Sequence, residues 1–136
     1  MNVPQDLRYT KSHEWAKQAG GEVIIGITSH AQEELRDVVY VELPQAGKAV
    51  KQGEQAAVVE SVKAAFSIYA PVSGAIGQVN EGLSKDPAAI NRSPYEEGWI
   101  FSLQVANPEE AKSLMNHQQY DAWVKGGAGH PSTGSG

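Results

Sequence analysis

Residues 56–70, AAVVESVKAAFSIYA, contain no Gly, Pro, Asn or Asp. No turn residue punctuates the run, and its Val, Ile, Phe and Tyr content reads as strand. Its length is the constraint. Fifteen residues at about 3.3 Å each would make a strand of roughly 50 Å. A 136-residue chain with one core has a radius of gyration of about 14 Å and is only roughly 35–40 Å across. Ordinary strands run about 5–6 residues. The run must therefore fold back near its middle, around Ser61 to Ala64. That predicts a hairpin with Lys63 at or beside its tip, left accessible by the small neighbours Ser61, Ala64 and Ala65.

The flanking segments fit a mainly β domain. EVIIGIT (22–28), VVYVEL (38–43), AIGQV (75–79) and WIFSLQV (99–105) read as strands, PQAG (44–47) and PVSG (71–74) as turns, and residues 80–98 as a polar loop. Ser29 with Gln32 three residues on predicts a capping box and a short helix over SHAQEEL. Asn107, Pro108, Glu109 and Glu110 suit a helix start, and Tyr120, Trp123 and Val124 lie at helical spacing. Residues 126–136 hold five of the fourteen glycines and no large apolar residue. They read as a disordered Gly/Ser-rich tail after a domain of residues 1–125. The pattern predicts a β-sandwich or barrel with short peripheral helices and C-terminal helices.

Eleven Lys and Arg against sixteen Asp and Glu give a net charge of −5. That opposes a nucleic-acid partner, which needs clustered positive charge. With no cysteine there is no disulfide framework and no thiolate metal site. No apolar run approaches the roughly 20 residues of a membrane span, and the N-terminal residues resemble neither a signal nor a transit peptide. A bacterial cytoplasm is expected; a mature mitochondrial-matrix form would read the same. His13-Glu14 lacks a cysteine or a second spaced histidine, and His30, His117 and His130 fall in helix or tail contexts without partners. Trp15 and Trp99 read as core or rim aromatics and Tyr95 as a loop-packing residue. No nucleophile elbow, P-loop or dinucleotide fingerprint is present.

A lone lysine on a hairpin tip has limited chemistry. An ordinary lysine amine titrates at about 10.4 and is charged at neutral pH. It becomes a nucleophile only when burial or a nearby cation lowers that value. A tip next to Glu60 supplies neither. An attachment point, acylated by a modifying enzyme that docks the tip, is the better reading.

The residues also carry a resemblance. YTKSHEW (9–15), GIT (26–28), VVYVELP (38–44), ESVKA (60–64), PVSG (71–74), VN (79–80), IN (90–91) and SPYEEGW (93–99) occur in the order seen in H proteins of the glycine cleavage system. The resemblance covers residues 7 to about 124 and implies a lipoyl-type domain of the barrel–sandwich hybrid class. Lipoate would be amide-linked to Lys63, with Glu60, Ser61, Val62 and Ala64 as the motif read by a lipoate ligase or an octanoyl/lipoyl transferase. Biotin carriers usually flank their lysine with Met, where Val62 and Ala64 stand here. The family's shuttle takes an aminomethyl group from glycine at the pyridoxal-phosphate decarboxylase (P protein). It delivers it to the aminomethyltransferase (T protein) and is reoxidised by dihydrolipoamide dehydrogenase (L protein). The carrier itself is not an enzyme. The HEW motif makes Glu14 the candidate to pair with the amine of the loaded arm. Two other readings use the same residues: a relay handing lipoyl or octanoyl groups to other lipoyl domains, and an unmodified barrel serving as a binding module. Three positions depart from the family. Arg36 stands where glycine is common, Ala89 where leucine is common, and Phe66 where a small or polar residue is usual. Phe66, three residues from Lys63, is the departure expected to bear on the arm's cleft or on docking.

Overall fold

The computed structural model describes residues 3–126. Nine strands form two sheets around one core. The larger sheet holds β1 (Arg8–Tyr9), β2 (Glu14–Ala19), β3 (Glu22–Ile27), β5 (Ala49–Val50), β8 (Gly74–Val79) and β9 (Phe101–Val105), in the order β1-β2-β3-β9-β8-β5. The smaller holds β4 (Val38–Glu42), β6 (Gln55–Ser61) and β7 (Ala65–Tyr69), in the order β4-β6-β7. All pairings are antiparallel. This is the mainly β, barrel–sandwich architecture expected, and the long run does fold back, leaving residues 62–64 as the turn between β6 and β7.

The two sheets close on each other through their apolar faces. Ile25, Ile27, Ile76, Phe101 and Leu103 from the larger sheet meet Val41, Ala57, Val59 and Ile68 from the smaller, all buried. A second cluster of Leu7, Tyr9, Trp15, Tyr120 and Val124 packs the last helix under β1 and β2. Trp15 sets the spacing there: a Cβ on the facing Gly26 would lie 2.6 Å from the indole ring.

Helix α1 (Ser29–Leu35) is capped by Thr28, not by Ser29 as the sequence suggested. Thr28 is extended (φ −74, ψ 165) and its Oγ1 accepts from Ala31 N–H at 3.2 Å, leaving Ser29 as the first helical residue. Tyr95 does more than pack a loop, since its hydroxyl accepts from Ser29 N–H at 2.9 Å. The capping box lies instead at Asn116 and Gln119, opening α3 (His117–Lys125). The polar loop also contains structure, a 3-10 turn at Glu81–Ser84 and a one-turn helix α2 at Ala89–Arg92. Asn107 caps as expected, but the helix it opens, Pro108–Ser113, is 3-10. Leu114 must turn extended so that Met115 can pair with Tyr9 through two 2.8 Å backbone bonds, which leaves no room for a longer α-helix. Gly126, assigned to the tail by sequence, ends α3 by donating to Ala122 O. The rest of that tail, 127–136, with His130, lies outside the described residues.

Arg36 ends α1 at φ 68, ψ −147, a region that glycine enters freely and other residues enter at a cost of about 1–3 kcal/mol. Here the departure from glycine has a physical consequence. Arg36→Gly is expected to stabilise the fold by about 1 kcal/mol, strain relief outweighing the more flexible unfolded chain. Urea unfolding checks this; a loss of stability would show that the arginine side chain contributes more than its backbone costs.

Candidate functional site

The β6–β7 turn is built by Ser61. Its N–H donates to Ala64 O at 2.8 Å, while its Oγ donates to Ala64 O at 3.0 Å and accepts from the N–H of Lys63 (3.1 Å) and Ala64 (3.0 Å). A serine hydroxyl substitutes here for the Gly or Asn that a tight turn ordinarily uses. Val62 N–H donates to Asp37 O at 3.0 Å, tying the tip to the α1–β4 connection. Lys63 is exposed, and its Nζ makes one long hydrogen bond, 3.3 Å to Glu34 O in the last turn of α1. Helix C-terminal carbonyls attract a cation, so the ammonium rests there. Acylating Nζ removes the charge and gives up little else. The side chain leads into solvent beside small residues, so the tip fits an amide-linked arm.

The sheet behind the tip is unusual in its outer face. Among the described residues the exposed large hydrophobics are Val39, Tyr40, Val62 and Tyr69, all on this sheet or its turn. Val39 is thrown outward by a bulge, since Val38 faces Ser61 while Tyr40 faces Glu60. Glu34, Asp37, Glu42 and Glu60 are exposed nearby. The lysine thus stands beside an apolar strip with an acidic margin. Phe66 turns the other way, opposite Val59, and packs half-buried on the main core.

Glu14 lies at the base of the same hairpin. It is fully buried at the start of β2. Oε1 accepts from the hydroxyls of Thr10 and Ser12, the latter at 2.6 Å, and Oε2 accepts from Tyr69 N–H at 2.9 Å. Burial raises the carboxyl pKa above the usual range, and the bonds from Ser12, Thr10 and Tyr69 pull it partly back. The carboxylate therefore joins the larger sheet to β7 of the smaller one. It lines a cleft of about 220 Å³ with Thr10, Ser12, Tyr69, Pro71 and Met115. Thr10 and Ser12 escaped sequence reasoning; the only signal was hydroxyl residues two and four positions before a glutamate.

The histidines depart from expectation. His13 takes φ 75 and its Nδ1 lies 2.7 Å from Tyr120 OH, which also bonds Thr28 Oγ1 at 2.8 Å. His30, read as solitary, lies beside His13 with ring centroids 4.8 Å apart. This group ties α3 to the loop before Glu14, and with Tyr120 buried it belongs to the packing beneath the site.

Two β-layers around one core, with a single lysine raised on a solvent-facing hairpin, define a carrier domain of the barrel–sandwich hybrid class. The comparisons give the particular family. Residues 7–127 match the family model described as glycine cleavage H-protein. The chain is 48% identical over 125 residues to the glycine cleavage system H protein of Anaeromyxobacter sp. (strain K), covering 92% of this chain and 98% of that one. It is 53% identical over 120 residues to that of Opitutus terrae, covering 88% and 94%. The crystal structure of a glycine cleavage system H protein from Mycobacterium marinum superposes with a TM-score of 0.82 at 39% identity, over 91% of this chain and 99% of that one. The chain belongs to the glycine cleavage H-protein family.

Proposed function

We propose that the chain is the lipoyl-carrying shuttle of the glycine cleavage system, with lipoate in amide linkage to Lys63. The observation that carries this reading is the tip: an exposed lysine, its Nζ resting on Glu34 O, on a turn ordered by Ser61 and Asp37 O, in a chain of this family. The bound group would supply a disulfide at the end of a long arm, the acceptor for the aminomethyl group left when glycine loses CO₂. The chain's own residues hold and present that arm. They raise its local concentration at each docked active site to the order of mM. The strip of Val39, Tyr40 and Val62 with its acidic margin suits enzymes whose active-site mouths are apolar and edged with Lys or Arg. The P, T and L proteins, and the ligase or transferase that acylates Lys63, are the partners assigned.

Glu14 is assigned to the amine of the loaded arm. A carboxylate already removed from water interacts more strongly with an arriving cation than one at the surface. Thr10, Ser12 and Tyr69 N–H fix its direction. Glu14→Ala should speed the loss of ammonia from the aminomethyl-loaded carrier by about tenfold, one charge-assisted hydrogen bond's worth. An unchanged rate removes Glu14 from the role.

The shuttle itself is tested by glycine–bicarbonate exchange with P protein. Exchange should require the lipoylated carrier and be absent with the unmodified chain. Lipoylated carrier that supports no exchange, yet gives up its lipoyl group to another lipoyl domain, would establish the relay role instead.

A further inference from the structure

We infer that Asn91 is a positioning residue for the Lys63 tip, an inference that rests on the carrier reading above. Asn91 stands on α2, whose Ala89 and Ile90 are buried, so its side chain starts from a fixed base. Its amide reaches one group each on α1, on the α1–β4 connection and on the first residue of β4. Oδ1 accepts from Val38 N–H at 2.9 Å, and Nδ2 donates to Arg36 O at 2.7 Å and to Gln32 Oε1 at 3.1 Å. These contacts bracket Arg36 and Asp37. Arg36 is the residue held in a glycine-type conformation, so the connection follows this path only because something holds it. Asp37 is the residue whose carbonyl accepts Val62 N–H, and Glu34 O, one turn earlier, receives Lys63 Nζ. A continuous line of contacts therefore runs from Asn91 through Arg36 and Asp37 to the residue preceding Lys63.

The chemistry requires an amide. One side chain must donate to a carbonyl and accept from an N–H at once. Aspartate keeps the Val38 bond but has no donor for Arg36 O or Gln32 Oε1. Alanine loses all three. A longer amide would start from the same backbone position and overshoot. Asn91 touches neither Lys63 nor any arm attached to it; it acts through the connection on which the tip rests.

The test uses the full chain, with Asn91→Asp, Asn91→Ala and the double variant Asn91→Asp/Arg36→Gly. Two quantities are read: hydrogen exchange at the Val62 amide, and steady-state lipoylation by a lipoate ligase with ATP and lipoate. Val62 exchange should rise about tenfold or more in both single variants, matching the loss of two or three hydrogen bonds. Core amides such as Val59 and Leu103 should move far less, which separates loosening of the tip from general destabilisation. The ligase KM for the carrier should rise severalfold with kcat within about twofold, because a smaller fraction of tips is in the presented form. Arg36→Gly adopts the connection without strain and should bring both quantities partway back. Unchanged Val62 exchange, or an unchanged KM, overturns the inference. A KM rise confined to Asn91→Asp also overturns it, since added charge would then be the cause. Wild type that takes no lipoyl group would remove the carrier reading, while the exchange measurement would still decide whether Asn91 orders the tip.

Discussion

Lys63→Ala is expected to accept no lipoyl group and to lose all carrying activity, while its stability stays within about 0.5 kcal/mol of wild type. The first expectation follows from covalency: a carrier without its attachment amine has nothing to carry. The second follows from position. Lys63 is exposed and its side chain contributes a single 3.3 Å hydrogen bond to Glu34 O. Its backbone N–H, which Ser61 Oγ accepts, is kept in alanine. Intact mass with peptide mapping, after incubation with a lipoate ligase, ATP and lipoate, reads the result. One adduct per 14.6 kDa chain in wild type and none in the variant is expected. An adduct on another lysine in wild type would move the site, and no adduct on folded wild type would return the chain to the binding-module reading.

Gly74→Ala is expected to be the most damaging of the conservative substitutions considered, costing about 3 kcal/mol, the upper part of the usual overpacking range. Gly74 lies where three strands meet, opposite Val50 of β5 and Val105 of β9. A Cβ there would sit 2.2 Å from Gln104 O. That oxygen is backbone, so it can move only if β8 and β9 separate, and those strands carry Ile76, Phe101 and Leu103 of the core. Thermal unfolding should show a drop of roughly 10 °C. A drop of only a degree or two would mean that the pair yields at this end without disturbing the core.

These two residues differ in how far the sequence discloses them. Lys63 was legible because its constraint is local: a breaker-free run too long for one strand has to bend near its middle, where the lysine stands among small residues. Gly74 was legible as part of a turn, but the reason for glycine was not, because the colliding atom belongs to residue 104. β3 and β4 announce themselves through β-branched residues, and β9 through the aromatic and aliphatic residues of WIFSLQV. β2 does not. EWAKQA buries its first three residues and exposes its last three, so it shows no alternation, and it is a strand because β3 pairs along its whole length. β1 and β5, two residues each, are defined wholly by their partners. At the site, Glu14 was marked by its motif, but its full burial and its bond to Tyr69, 55 residues away, were invisible. Asn91 reaches partners 53, 55 and 59 residues distant, two of them backbone atoms, which no local pattern records.

The strand order has a consequence for the timing of assembly. The lysine hairpin joins neighbours in the chain, so it needs only residues 55–69 to form. The larger sheet needs β3 beside β9, a union marked by the Ser102 hydroxyl on Glu22, 80 residues back. During synthesis from the N-terminus, β2 and β3 therefore wait with an unpaired edge until the last strand has emerged. Closing so long a loop is entropically slow. Until then the nascent chain presents its lysine hairpin without the buried core that stiffens it, so folding must finish before the carrier offers its partners a settled surface.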